Sequence, residues 1–174
     1  MNRESFEQDL QLLVGLQLKR VRYYASPGGW PSWHAHPDFD SLEQGLDLIG
    51  HGAAHSVTWD ATFWSYGLRV RSGTLVDVLS AGQFHDVSEE SRWSAFLGQQ
   101  VRDARFVWEP VPDPLAEAGD VYPQHVVLTF EHGGQVYLSA AAPQEPQAPF
   151  FGMSDHVVVL FDQDHARHYL PGMD

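Results

Sequence analysis

The chain has 174 residues, with 10 Lys and Arg against 23 Asp and Glu, which gives a formal net charge of −13. It contains no cysteine, which excludes disulfide scaffolds, cysteine-ligated zinc or iron–sulfur sites and cysteine nucleophiles. The negative charge argues against binding to nucleic acid or to anionic membranes, because both depend on Lys and Arg. No apolar run approaches the roughly 18 residues of a membrane span, and the acidic start MNRESFEQD is unlike a secretory signal. We therefore expect a soluble cytoplasmic protein.

Two short amphipathic helices are predicted, each ending at a glycine. The first begins near Ser5 and ends at Gly15, and the second covers 88–97 and ends at Gly98. Glycine is favoured at these ends because the residue that terminates a helix commonly has a positive φ. Their apolar faces, spaced as on a helix, are formed by Phe6, Leu10, Leu13 and Val14 and by Trp93, Phe96 and Leu97.

Most of the remaining regular structure is predicted to be β-strand. Alternating apolar and polar residues around the turn His132-Gly133-Gly134 predict a hairpin. The run VVVLF at 157–161 does not alternate, which is typical of a central strand buried on both faces. The predicted strands are 16–24, 46–49, 56–59, 67–71 with a continuation to 79, 99–109, 126–130, 136–140 and 156–161. This pattern predicts an α+β fold with a mostly antiparallel sheet.

The two halves of the chain resemble each other. LLVGLQLKRVRYY at 12–24 aligns with AFLGQQVRDARFV at 95–107, with Gly15 on Gly98. Both segments shift the phase of their apolar residues once, which predicts a β-bulge near 19–20 and 102–103. We predict an internal duplication of a helix–four-strand unit that forms one pseudo-symmetric domain over 1–174. Two lobes, 1–86 and 87–174, are an alternative arrangement, and a chance likeness of two helix–strand junctions is an alternative origin.

One segment near the C-terminus resembles a known catalytic motif. VVVLFDQDHAR at 157–167 is similar to the opening motif of haloacid-dehalogenase-like phosphotransferases, where a hydrophobic strand precedes D-x-D. The resemblance implies a nucleophile at Asp162 and an acid–base residue at Asp164. It covers about ten residues, and the Lys and the further acidic motif of that family have no counterpart in the short sequence that follows. We interpret both residues as the solvated end of a strand.

A cluster of histidine and aspartate is the candidate metal site. His34 and His36 would point to the same side of an extended segment, with Asp38 and Asp40 continuing the series. Imidazole and carboxylate together suit zinc, iron or nickel. The chain has no HExxH, P-loop, G-x-G-x-x-G or G-x-S-x-G motif. No cofactor and no catalytic residue is therefore predicted, and a non-enzymatic role is favoured.

The same segment is the candidate binding surface. Trp30, Trp33 and Phe39 lie beside Asp38 and Asp40, and aromatic side chains often anchor protein interfaces. Their alternative role is to cover the ends of the sheet. An acidic, aromatic loop surface predicts an interaction protein with a basic protein partner, and bacterial immunity proteins are similar in this character. The alternative is a small-ligand- or metal-binding domain, including a hydrolytic one, that uses the His/Asp cluster or a cleft between lobes.

The basic residues are placed differently from the acidic ones. Most lie in predicted strands, and Arg22, Arg69, Arg71 and Arg105 are out of phase with the apolar face. We expect them to pair with carboxylates across strands, with anion binding as the alternative.

Overall fold

A computed structural model describes residues 3–24, 36–63, 66–79, 83–113, 115–143, 148–170 and 172–173. The predicted class is confirmed, because these residues form an α+β structure with two antiparallel sheets. The helices are α1 (Arg3–Gln11), α2 (Leu75–Leu79), α3 (Ser91–Ser94) and α4 (Gln163–Tyr169). The strands are β1 (Arg20–Tyr24), β2 (Phe39–Leu42), β3 (Gly45–Ile49), β4 (Ala54–Asp60), β5 (Gly67–Ser72), β6 (Phe84–Asp86), β7 (Val101–Pro110), β8 (Val121–Phe130), β9 (Gln135–Ala142) and β10 (Phe151–Leu160).

Each sheet is built on a meander of consecutive strands. The first sheet has the order β5-β4-β3-β1-β6, and the second has the order β2-β10-β9-β8-β7. Strand β2 lies between β1 and β3 in the chain, yet it pairs with β10, with Leu42 opposite Val157 and Phe39 opposite Leu160. The first half of the chain therefore supplies an edge strand to the sheet of the second half.

The strand predictions are confirmed where the local pattern is strong. Strands β8 and β9 form the predicted hairpin, with Val126 opposite Leu138. The core of β10 is buried on both faces and lies between β2 and β9. A register shift between Val101 and Asp103 in β7 corresponds to the bulge predicted there.

Two apolar clusters lie on opposite faces of the second sheet. The larger one fills the space between the sheets and includes Val57 and Val70 of the first and Leu128 and Leu138 of the second. The smaller one lies on the outer face of the second sheet and is covered by α4. Alternation along β8 explains the division, because successive side chains of a strand point to opposite faces.

The ends of the two helical segments meet each other. Gly15 and Gly98 both have positive φ, at 89° and 81°, as expected for glycines that terminate helical turns. The Gly15 amide donates to the Val101 carbonyl at 2.8 Å, and the Gly98 amide donates to the Leu18 carbonyl at 2.7 Å. A bridge between Gln17 and Gln100 lies between these hydrogen bonds. The junctions before β1 and β7 are therefore joined by backbone pairing.

Three local predictions are wrong. Residues 75–79 form α2 rather than the end of a strand, because the Leu75 amide donates to the buried carboxylate of Asp47 at 2.9 Å. The second helix is confined to α3, because the Ser88 hydroxyl donates to Asp86 at 2.5 Å and holds the preceding residues in a turn. Residues 39–42, where no strand was predicted, form β2.

The C-terminal segment also differs from its prediction. Asp162 is the N-cap of α4 rather than part of a solvated strand end, and its side chain accepts hydrogen bonds from the amides of Asp164 at 2.8 Å and His165 at 3.1 Å. Helix α4 buries Ala166 and Tyr169 against the smaller cluster. This helix carries part of the candidate site.

Candidate functional site

An ion pair with a buried carboxylate lies where β1, β2 and α3 meet. Asp40 is 1% exposed and pairs with the guanidinium of Arg92. The Tyr23 hydroxyl donates to the second Asp40 oxygen at 2.8 Å, and Trp93 Nε1 donates to the Tyr23 oxygen at 2.5 Å. Burial and then the Asp40 charge raise the pKa of Tyr23 well above its usual value, so its hydroxyl remains a donor. The charge of Asp40 is thus compensated inside the protein.

Arg92 also fixes the segment that precedes β2. Its Nη2 donates to the carbonyl of His36 at 2.6 Å and to the carbonyl of Pro37 at 2.7 Å. These hydrogen bonds use several N–H donors of one planar guanidinium group at once. A Lys ammonium lacks this forked geometry and would not reproduce them. Arg92 therefore positions the backbone immediately before Asp38.

Asp38 is the partly exposed carboxylate of this region. Its side chain is 27% exposed, and Tyr169 of α4 donates a hydroxyl hydrogen bond to Oδ2 at 2.9 Å. His165 Nε2 lies 3.6 Å from Oδ1, and His36 Nδ1 lies 3.8 Å from Oδ2. Burial and then the Asp38 hydrogen bond raise the pKa of Tyr169. We call Asp38, His36, His165 and Tyr169 the Asp38 cluster.

Stacked rings support the Asp38 cluster from below. His36 stacks on Phe39 with ring centroids 4.2 Å apart, and Phe150 stacks on Tyr169 at 4.9 Å. Phe39 meets Phe150 edge-on at 4.8 Å. Such pairs restrict ring rotation and add to the burial energy. The rings therefore hold His36 and Tyr169 in place around the carboxylate.

The binding residues predicted from the sequence differ in position and burial. Asp38 and His36 lie together and are partly exposed, as a contact surface requires. Phe39 and Asp40 are buried and serve the core and the internal ion pair. The remaining candidates, Trp30, Trp33 and His34, lie outside the described residues.

The described residues contain no group of three or more His, Asp or Glu side chains arranged to hold a metal ion. Of the proposed metal ligands, His36 stacks on Phe39 and lies beside Asp38, whereas His34 is outside the described ranges. In the segment that resembles the phosphotransferase motif, Asp162 caps α4 and the Asp164 side chain is 91% exposed. The two carboxylates therefore have different surroundings, one as a helix cap and the other in solvent.

A second polar pair is closed to solvent. His125 Nδ1 and Ser139 Oγ are 2.9 Å apart on the neighbouring strands β8 and β9, and both residues are fully buried. Gln124 donates to the same serine oxygen at 2.7 Å and to the Ala140 carbonyl at 2.8 Å. This serine–histidine pair therefore satisfies buried polar atoms and offers no accessible nucleophile.

Sequence reasoning missed Tyr23, Arg92, His165 and Tyr169. Arg92 contacts Asp40 across 52 residues, and Tyr169 contacts Asp38 across 131 residues. A local signal existed for α4 only, where Asp162 precedes the helix as a suitable N-cap residue. The other contacts join residues that are far apart in the chain, and a local sequence pattern does not predict such contacts.

No protein-family model matches the chain, and neither a curated protein nor a solved structure is significantly similar to it. No helix among the described residues is long and apolar enough to cross a membrane. The site is therefore interpreted from its own geometry and charge.

Proposed function

We propose that this protein binds a basic protein partner through the surface of the Asp38 cluster. The observation that supports it best is the state of Asp38 itself. The carboxylate is partly exposed, and within the described ranges no Lys or Arg side chain pairs with it. A cationic side chain of a partner would find a fixed carboxylate that no described Lys or Arg neutralises.

Other carboxylates near arginine are already compensated. Asp40 pairs with Arg92, and Asp60 lies 2.7 Å from Arg71 and 3.5 Å from Arg69. These pairs use basic charge internally, in a chain whose net charge is −13. An excess of exposed carboxylate steers a cationic partner and raises its association rate at low ionic strength.

The Asp38 surface is also held in one conformation. Arg92 binds the carbonyls on its N-terminal side, and Tyr169 binds the carboxylate from α4. Preorganisation lowers the conformational entropy lost on binding. The sequence adds Trp30 and Trp33 shortly before Asp38, and tryptophan is enriched among residues that dominate binding energy.

The test compares two variants with equal net charge. The partner is captured by crosslinking in the native host, purified, and titrated by isothermal calorimetry at low salt. We expect Asp38→Asn to weaken binding about ten-fold, which is about 1.4 kcal/mol. The control, Asp103→Asn, removes an exposed carboxylate from β7. Its effect should be much smaller.

Equal losses for the two variants would contradict the proposal, because they would show a dependence on net charge alone. The absence of any captured basic protein, combined with binding of a metabolite, would favour the alternative below.

The second candidate is a small-ligand site at the same residues. It is favoured by the two imidazole rings, His165 at 3.6 Å and His36 at 3.8 Å from the Asp38 carboxylate. Histidine and carboxylate side chains in contact suit acid–base chemistry or metal binding. Elemental analysis with and without chelator, and thermal shift against a metabolite library, distinguish this function from partner binding.

We also infer that the two halves arose by duplication of one helix–four-strand unit. The support is the reciprocal pairing of aligned positions. Gln17 Nε2 donates to the Gly98 carbonyl and Gln100 Nε2 donates to the Gly15 carbonyl, both at 3.0 Å. A comparison of homologues would test it, because a true duplication predicts that the two halves become more similar in some relatives.

A further inference from the structure

A small polar pocket lies between α4 and the outer face of the second sheet. Its volume is about 110 Å³. Two arginines contribute to its wall, Arg105 from β7 and Arg167 from α4. The other polar lining residues are Gln135 and Tyr137 of β9 and Gln163 of α4. The pocket is separate from the Asp38 cluster, because none of that cluster's residues lines it.

Strand register and helix periodicity bring these side chains together. Arg105 is opposite Val127, and Val127 is opposite Tyr137, so Arg105 and Tyr137 belong to one row across three strands. On α4, Gln163 and Arg167 are four residues apart and therefore share a helix face. The two guanidinium groups reach the pocket from the sheet and from the helix.

The positive charges of these two arginines are only weakly compensated by carboxylates. Arg105 forms no hydrogen bond or ion pair with any described residue and is exposed. Arg167 has a contact with Asp164 at 3.8 Å, but both side chains are more than half exposed, and such pairs contribute little. By contrast, Arg69, Arg71 and Arg92 all contact carboxylates.

The hydroxyl of Tyr137 lies within the field of both arginines. It donates to Gln135 Oε1 at 2.6 Å. Burial raises the pKa of Tyr137, the positive charges of Arg105 and Arg167 lower it, and the nearby Asp162 raises it again. Among the described residues, Asp162 acts on Tyr137 and Asp164 lies 3.8 Å from Arg167, and Asp162 directs its carboxylate to the α4 amides.

We propose that this pocket binds a small oxyanion of the phosphate class, either free phosphate or the phosphoryl group of a small metabolite. Guanidinium groups bind phosphate oxygens through paired N–H donors, and glutamine amides supply further donors. A water needs roughly 10–15 Å³ of such space, so a pocket of about 110 Å³ accommodates a tetrahedral anion with several waters. In a chain of net charge −13, two converging guanidinium groups form a local site of the opposite sign.

The experiment titrates the full-length protein with inorganic phosphate and with phosphoserine, by isothermal calorimetry at constant ionic strength set with chloride. We expect saturable binding of one anion per chain. Arg105→Gln and Arg167→Gln should each weaken it at least ten-fold. The control, Arg20→Gln, makes the same charge change at an exposed position of β1 and should leave the affinity unchanged.

The absence of saturable binding, or an equal loss in Arg20→Gln, would overturn the proposal. Tighter binding of phosphoserine than of phosphate assigns the pocket to a phosphoryl group, and equal binding assigns it to the free anion; both support the shared chemistry. The double variant Arg105→Lys/Arg167→Lys keeps the charge and should lose affinity because the forked geometry of the guanidinium groups is missing. Wild-type affinity in that variant would contradict a built oxyanion site, and circular dichroism melts verify that each variant is folded.

Discussion

At the scale of single residues, the partly and fully buried aspartates differ in how their charge is stabilised. Asp40 has an arginine and a tyrosine, whereas Asp47 has the Tyr24 hydroxyl at 2.5 Å and the Leu75 amide at 2.9 Å. Burial raises the pKa of Asp47 despite these hydrogen bonds. For Asp60, burial also acts to raise the pKa, but the Thr62 hydrogen bonds and the charges of Arg69 and Arg71 outweigh it, so the net pKa is lowered.

Asp60 therefore contributes stability that depends on pH. A carboxyl whose pKa is lower in the folded state stabilises the protein above its unfolded value of 3.8, and this contribution is lost as the pH falls through the folded pKa. We expect Asp60→Asn to lower the free energy of unfolding at pH 7 by about 1–3 kcal/mol, because Arg71 loses its carboxylate partner and Arg69 keeps Asp9 at 3.5 Å but loses Asp60. Below pH 4, the free energy of unfolding should fall less steeply with decreasing pH in the variant than in the wild type.

Urea denaturation at several pH values measures this effect, with Asp103→Asn as a matched exposed control. Similar destabilisation in both variants, or an unchanged pH dependence in Asp60→Asn, would contradict the assigned role of the Asp60 ion pairs.

At the scale of elements, the helices depend on their ends more than on their length. The described helices are short, and α4 has seven residues, too few to be stable in isolation. Its stability comes from the Asp162 cap and from the burial of Ala166 and Tyr169. This small buried face explains why periodicity did not predict α4, whereas the longer apolar face of α1 was recognised.

Removal of the α4 cap should affect both candidate sites. We expect Asp162→Ala to cost about 1 kcal/mol, because the side-chain oxygen accepts from two amides of the first turn. Since α4 carries Tyr169 and Arg167, the same change should weaken binding at the Asp38 cluster and at the pocket lined by Arg105 and Arg167. Asp164→Ala removes a solvated carboxylate from the first turn and serves as the control. If the two variants unfold at the same urea concentration, the capping role is refuted.

At the scale of the whole molecule, the two halves of the chain pair and pack with each other at several places. Strand β2 belongs to the first half and pairs with β10, and the larger core cluster includes residues of both sheets. The junctions at Gly15 and Gly98 exchange backbone hydrogen bonds. Without the first half, the second sheet lacks its edge strand β2, and without the second half it lacks its other four strands. Each half alone also contains only part of the larger core cluster.

We therefore expect the chain to unfold in one cooperative transition. Tryptophan fluorescence and far-ultraviolet circular dichroism should give coincident urea curves, as two-state unfolding requires. Separately expressed 1–86 and 87–174 should be unfolded, because each exposes half of the larger cluster. Two resolved transitions, or a folded fragment, would instead support two independent lobes.

The amino-acid sequence by itself determined the features that depend on near neighbours. Alternation specified the β8–β9 hairpin, an uninterrupted apolar run marked β10 as a central strand, and glycines marked the ends at 15 and 98. It also indicated the His36–Asp38 segment as a candidate site, since residue type and exposure of a polar loop are local properties.

Only the tertiary structure decided which distant groups meet. The pairing of β2 with β10, the Arg92–Asp40 ion pair and the Tyr169–Asp38 hydrogen bond join residues far apart in the chain. Such contacts form where the packing of two sheets repays the loss of chain entropy, and no short-range period encodes that balance. Asp38 and Asp40 are the same residue type and lie two positions apart. For this reason their environments still differ: Asp38 is partly exposed, whereas Asp40 is buried and paired with Arg92.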